Sequence, residues 1–188
     1  STEGSRVAVK AMTPGYSCSY CQRGFTSQCG GALGGYRYTT QIDGNMAEYF
    51  IVPAAVANLT PIPDDVSDEQ AVYTCDMLST GCMGAEHAHI QLGETVAIFA
   101  QGPVGLSATI GANLLGAGRV IAVESRPERQ ELARRFGADE IVDYTAGDPV
   151  EPAMALAGGQ GVAAPAHAVR TPDHLQARLH AATARTRA

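Results

Sequence analysis

Between Thr95 and Glu124 the apolar positions change period twice. Residues 95–100, TVAIFA, form an unbroken β-branched and aromatic run, as a parallel strand covered on both faces requires. From Val104 to Leu115 small and apolar residues recur at helical spacing, and Gly116-Ala117-Gly118 ends that helix. Residues 119–123, RVIAV, are a second apolar run that closes on Glu124. Ser125 and Glu128 have the spacing of a capping box for a further helix over 126–136, stopped by Gly137, and Ile141-Val142 reads as a third short strand. The order β-α-β-α-β is half of a doubly wound sheet.

The pattern before residue 95 differs. Residues 6–10 alternate as a strand and are expected to pair with 46–52, a run ended by Pro53. Residues 13–41 show no helical period and read as a long irregular loop that needs a staple or a function. Residues 58–63 are a short extended piece. Ser67 and Gln70 then form a capping box, with Asp65 and Asp68 placed where a helix dipole favours negative charge. Helical signal covers 71–73 and resumes over 79–86, where Gly81 and Gly84 permit close packing. The fold class is therefore α/β: a β-rich portion over residues 1–80, then an incomplete doubly wound parallel sheet over 81–161.

From residue 162 to 188 the composition turns to Ala, Arg, His, Pro and Thr, with Asp173 the only acid. The chain has one lysine, Lys10, among its 13 Lys and Arg residues, as a GC-rich gene would give. A GC-rich gene read out of frame yields such a tail, so residues 162–188 are expected to be an aberrant, frameshifted segment that adds no strand to the sheet. His167, His174 and His180 lie in it and read as scattered histidines rather than a metal site.

The formal net charge of -6 and the lack of a basic stripe exclude nucleic acid as the expected partner and point to a small soluble substrate. No run approaches the roughly 18 apolar residues of a membrane span, so no membrane partner is expected. Five cysteines, an odd number, fit a reducing compartment and a cytoplasmic location.

Three stretches carry chemistry. Gly102-Pro103-Val104-Gly105 follows a strand and opens a helix, so its glycines let backbone approach a pyrophosphate while the helix N-terminus offers N–H groups and partial positive charge. Glu124 stands at the spacing of an acid that binds a ribose diol, although Ala100 replaces the first glycine of the G-x-G-x-x-G pattern. Cys18, Cys21 and Cys29, spaced C-x2-C-x7-C, put three thiols in one loop, either a metal site one ligand short or a metal-free cysteine loop.

The cysteine loop resembles the structural zinc lobe of the zinc-dependent medium-chain alcohol dehydrogenases, C-x2-C-x2-C-x7-C, with Gly15 where the first cysteine stands in the family. The resemblance continues over most of residues 3–161. Residues 43–49, DGNMAEY, are similar to the family's D-G-x-x-A-E-Y; residues 62–67, IPDDVS, to its I-P-x-x-V/L-S; and residues 158–162, GGQGV, to its G-G-x-G-V. Residues 75–81, CDMLSTG, resemble the bacterial secondary-alcohol dehydrogenase form of the segment with the last catalytic-zinc ligand, which makes Asp76 that ligand and Thr80 a cofactor contact.

This resemblance implies a GroES-like catalytic domain before a Rossmann domain, and hydride transfer between an alcohol, or the matching carbonyl compound, and NAD(P) at a zinc ion. Family members are dimers or tetramers. Glu124 favours NAD, whereas Ser125-Arg126-Pro127 is similar to the S-R-P of the NADP-dependent branch, with Arg129 near the adenosine ribose. Relatives are about twice this length, so the chain is expected to be a fragment lacking both ends and inactive by itself. The rival expectation is a non-catalytic nucleotide- or zinc-binding remnant; a zinc-free quinone-reductase-like relative is disfavoured by Cys18, Cys21, Cys29 and Asp76 together.

Overall fold

A computed structural model describes residues 3–31, 34–158 and the backbone of 164–167. The chain divides into two compact units, residues 1–76 and 77–188.

In the first unit, β1 (Val7–Val9) pairs antiparallel with β2 (Leu59–Pro61) in the register Val7 to Pro61 and Val9 to Leu59. Bonds from Ile62 N to Arg6 O and from Lys10 N to Asn58 O extend the ladder at both ends. The expected partner, residues 46–52, is not a strand. Met46, Tyr49 and Ile51 are 104%, 90% and 75% exposed, because β2 takes the ladder of β1 and no other described strand lies beside them. Asn58 is what holds β2 in place. It is fully buried, and its Nδ2 donates to Pro14 O at 3.1 Å and Pro53 O at 2.9 Å, tying the entry to the cysteine loop to the turn before β2.

The loop itself is not wholly irregular as expected. It contains α1 (Ser19–Gln22), a 3-10 turn at Thr26–Gln28, and α2 (Arg37–Gln41), which buries Tyr38; α3 (Ala55–Asn58) precedes β2. These pieces are one turn each, too short to leave a periodic signature in the sequence. The capping box of α4 (Asp68–Tyr73) forms as expected, with Gln70 N donating to Ser67 Oγ and Ser67 N donating to Gln70 Oε1. Arg6 pairs with Asp68 at 2.7 Å and so ties β1 to α4.

A π-helical turn, Thr74–Leu78, leads from α4 into α5 (Ser79–His87). The second unit is a parallel sheet in the order β5-β4-β3-β6, built from β3 (Thr95–Phe99), β4 (Arg119–Val123), β5 (Glu140–Val142) and β6 (Ala164–His167). Thr95 lies opposite Arg119 and Phe99 opposite Val123, the adjacent parallel pair the two apolar runs predict. Val96 and Ile98 face α5 and α6 (Pro103–Leu114) through Ala85, Ala108 and Ala112, while Ala97 and Phe99 face Tyr144 and Leu156 on the other side. Burial on both faces accounts for the unbroken apolar run of β3. Between β4 and β5 runs α7 (Pro127–Arg135), and α8 (Val150–Leu156), absent from the sequence expectation, follows β5.

Two further expectations fail. The proposed Ser125 and Glu128 capping box does not form: Arg126 is the N-cap of α7 with no side-chain cap bond, and the Ser125 hydroxyl donates instead to Tyr144 Oη at 2.8 Å. The tail was expected to add no strand, yet residues 164–167 pair in parallel with Val96–Phe99. Backbone pairing needs no β-branched side chain, and the addition is beside β3, so β5 is an edge of this sheet whatever the tail does. The remainder of the 162–188 tail, with His174 and His180, lies outside the described residues.

Candidate functional site

The site at the C-terminal ends of β3 and β4 grows from one constrained turn. Ala100 leaves β3 at φ +66, a left-handed conformation that disfavours a Cβ, and its N–H donates to Val123 O at 2.8 Å. Gln101, which the sequence reading passed over, is fully buried and braces the turn from within. Its Nε2 donates to Ile98 O at 3.1 Å, and its Oε1 accepts from Thr109 Oγ1 at 3.0 Å. Gly102 is the N-cap of α6, followed by Pro103 at the first helical position. A Cβ built on Gly102 meets no atom within 4 Å, and no side chain caps the helix, so the N–H groups of Val104 and Gly105 can receive an anion. Gly105 is buried along α6.

The end of β4 is joined to this turn by Glu124. Its side chain is 3% exposed, and its two oxygens accept from Gln101 N at 2.9 Å, Ser125 N at 2.9 Å and Arg126 N at 3.1 Å. Burial pushes the Glu124 carboxyl up, but the three N–H donors and the Arg129 guanidinium at 3.7 Å outweigh it and hold the group below its ordinary value. The charge is thus fixed at the strand end, with its oxygens turned toward the backbone. Ser125, Arg126 and Arg129 surround it, Arg126 exposed and Arg129 half-buried. Tyr144, just after β5, meets Ser125 here and was missed from the sequence; the signal was a polar aromatic two residues beyond the third strand. Gln130 completes the group by donating to Glu124 O at 2.8 Å and Asp143 Oδ2 at 3.2 Å. The open flank at Gly102, the uncapped helix start and the polar strand end fit a dinucleotide.

In the first unit the three thiols predicted to share a site come together, their sulfurs all within 4.8 Å of one another. The Cys18 and Cys21 sulfurs are 3.5 Å apart and share a hydrogen bond. Gly30 N donates to Cys18 Sγ at 3.5 Å, while Gly15 N at 3.3 Å and Gly31 N at 3.5 Å donate to Cys29 Sγ. Backbone N–H groups at Cys21 and Gly30 lower the Cys18 thiol to about 6, whereas burial, and sharing with the Cys29 and Cys18 sulfurs, raise Cys21 to about 11. Converging N–H donors on clustered sulfurs fit a thiophilic divalent ion, for which these three residues would supply the ligands.

Asp76 is exposed within the π-helical turn, and Thr80 is half-buried in the first turn of α5. Among the described residues Asp76 joins no group of three or more His, Cys, Asp or Glu side chains able to hold an ion. A π-turn at this point matches the frequent use of such turns at functional positions.

Two family models match the chain: "Alcohol dehydrogenase GroES-like domain" over residues 1–64 and "Zinc-binding dehydrogenase" over residues 103–187. An alcohol dehydrogenase of Cupriavidus necator is 44% identical over 183 residues, covering 90% of this chain and 50% of that protein. An NADP-dependent isopropanol dehydrogenase of Thermoanaerobacter brockii is 45% identical over 159 residues, covering 85% and 45%. Among solved structures, zinc dependent alcohol dehydrogenase 2 from Streptococcus pneumonia superposes with a TM-score of 0.88 at 31% identity, over 96% of this chain and 51% of that one. The chain spans about half the length of the curated relatives it matches. Its GroES-like and nucleotide-binding parts, each matched in sequence and in fold, make the chain a member of the zinc-dependent medium-chain alcohol dehydrogenase family.

Proposed function

We propose that the chain serves in a dehydrogenase that moves hydride between a secondary alcohol, or the corresponding carbonyl compound, and NAD(P). The observation that carries this is the β3–α6 turn, open at Gly102, uncapped at the helix start and braced by Gln101 and Glu124. We place the division between the catalytic portion and the nucleotide portion at 80/81, within α5. The turn receives the pyrophosphate on the Val104 and Gly105 N–H groups, and Pro103 fixes the first helical residue at the required φ. Ser125, Arg126, Arg129 and Tyr144 hold the adenosine ribose, while Thr80 contacts the cofactor from α5. Asp76 serves as one ligand of the catalytic zinc, which when bound supplies Lewis-acid polarisation of the alcohol oxygen. The lobe of Cys18, Cys21 and Cys29 holds a second ion. Relatives that bind alcohols imply a small-molecule substrate, and we place the complete enzyme in the cytoplasm as a dimer or tetramer.

NAD is the favoured cofactor, since the buried negative charge of Glu124 opposes a 2′-phosphate nearby. A second reading, NADP, is favoured by the Ser125–Tyr144 hydroxyl pair beside exposed Arg126 and by the NADP-dependent isopropanol dehydrogenases among the relatives. Measuring kcat/KM of the full-length enzyme for a secondary alcohol with each cofactor decides both points. No zinc-dependent oxidation with either cofactor would refute the proposal, and higher efficiency with NADP would overturn the choice of NAD. That Asp76 joins no ion-holding group among the described residues favours a further reading, in which this chain alone binds nucleotide or zinc without turnover.

A further inference from the structure

We propose that the sulfur cluster of the first unit is an open three-thiolate site whose fourth coordination position takes an exogenous low-molecular-weight thiol. The inference rests on the proposal that this lobe holds a divalent ion and goes beyond it by naming what completes the ion's shell. Among the described residues no fourth His, Cys, Asp or Glu joins Cys18, Cys21 and Cys29. Ala32 and Leu33, which follow within the same loop, have no ligating side chain. Zinc in structural sites is closed by four protein ligands, whereas three protein ligands with one exchangeable position is the arithmetic of a reactive site.

The geometry shows where the opening lies. Cys21 and Cys29 are buried, and Gly34 packs directly on Cys29, which closes that side. Gly15 is exposed, and its N–H is 3.3 Å from Cys29 Sγ. Among the described residues a Cβ added there meets only Ser17 Oγ, at 3.9 Å, which leaves space for a fourth side chain. Cys18, the third sulfur of the group, is half-exposed.

The chemistry selects a soft ligand. Three sulfurs make the ion's surroundings thiophilic. The Arg37 guanidinium, donating to Gly31 O at 2.7 Å and Gly30 O at 3.4 Å, sets a positive charge behind the two glycines whose N–H groups face the sulfurs. That charge offsets the negative charge a fourth thiolate adds. With an ion held by Cys18, Cys21 and Cys29, thiol binding would be a ligand exchange in which the thiol's proton goes to solvent and its sulfur replaces a solvent ligand, with no change of oxidation state.

The test uses cobalt(II) as a spectroscopic stand-in for zinc in the 188-residue chain, kept anaerobic, with 2-mercaptoethanol as the probe thiol. One cobalt per chain is expected, with a sulfur-to-cobalt charge-transfer band that grows by about one third on saturation with the thiol, as three thiolates become four. Gly15→Cys fills the open position from within, since Gly15 lacks the positive φ that would resist a side chain. Its cobalt band should start at the four-thiolate intensity and not respond to thiol. A wild-type band indifferent to thiol overturns the open position while leaving an ion in the lobe. Failure to bind cobalt stoichiometrically overturns both, because the lobe is then metal-free.

Discussion

Adding one methyl group at Gly81 should damage the nucleotide-binding unit, while the same change three residues later should strengthen it. A Cβ at residue 81 would stand 2.6 Å from Val104 O and 2.6 Å from Ala108 N, besides meeting Ser107 Cβ. Two of these atoms are α6 backbone and cannot rotate aside, so α5 and α6 must separate. Overpacking of this kind costs about 1–3 kcal/mol, and replacing Gly by Ala within a helix returns about 1 kcal/mol. With rigid backbone on the far side the upper part of the range applies, leaving Gly81→Ala about 1–2 kcal/mol less stable. A Cβ at Gly84 meets nothing within 4 Å, so Gly84→Ala keeps only the helix gain of about 1 kcal/mol. Thermal unfolding should move down by roughly 2–10 °C for the first and up by roughly 2–5 °C for the second. Val104 belongs to the turn of α6 proposed to receive the pyrophosphate, so Gly81→Ala should also weaken NADH binding and Gly84→Ala should not. Equal stability of the two variants would show that α5 does not press on α6 as described.

Three other outcomes follow from the site. Ala100→Gly should stabilise the chain by about 0.5–1 kcal/mol in chemical denaturation, because φ +66 is strained for alanine, and a loss of stability would mean the Cβ is packed rather than tolerated. Glu124→Gln should cost about 1.5–3 kcal/mol at pH 7, since an amide nitrogen would face backbone donors in place of one carboxylate oxygen. The folded Glu124 group lies below its ordinary value, so its contribution is complete above the usual glutamate range near about 4.3 and fades as pH falls through the folded value; urea midpoints of wild type and variant should converge in acid. A gap that widens in acid would contradict that sign. The isolated 188-residue chain should show no zinc-dependent alcohol oxidation, as Asp76 stands outside any ion-holding group of described residues; steady turnover abolished by chelator would refute this.

The parallel pair β3 and β4 was legible because burial on both faces leaves an unbroken apolar run, and α6 because small residues recur at its interface with α5. The α4 cap was equally legible, since Ser67 and Gln70 satisfy their bonds within four residues. What failed depended on distant partners. The run at 46–52 reads as a strand, but β2 occupies the ladder of β1. Ser125 and Glu128 have the right spacing for a cap, but Tyr144, distant in sequence, takes the Ser125 hydroxyl. Glu124 was found by its spacing, yet its orientation was not, because the N–H groups that turn it inward belong to two different turns. The three sulfurs were placed together by spacing alone; the glycine N–H groups that serve them carry no side-chain signal.

The central claim is that the β3–α6 turn and the end of β4 bind a dinucleotide, and amide hydrogen exchange with and without saturating NADH reads those atoms directly. Protection should appear at Val104, Gly105 and Leu106 and across Ser125–Arg129, with no change in β1 or the cysteine loop. Unchanged exchange at the turn under saturating NADH and NADPH, with β3 still protected as a folded strand, would contradict the account.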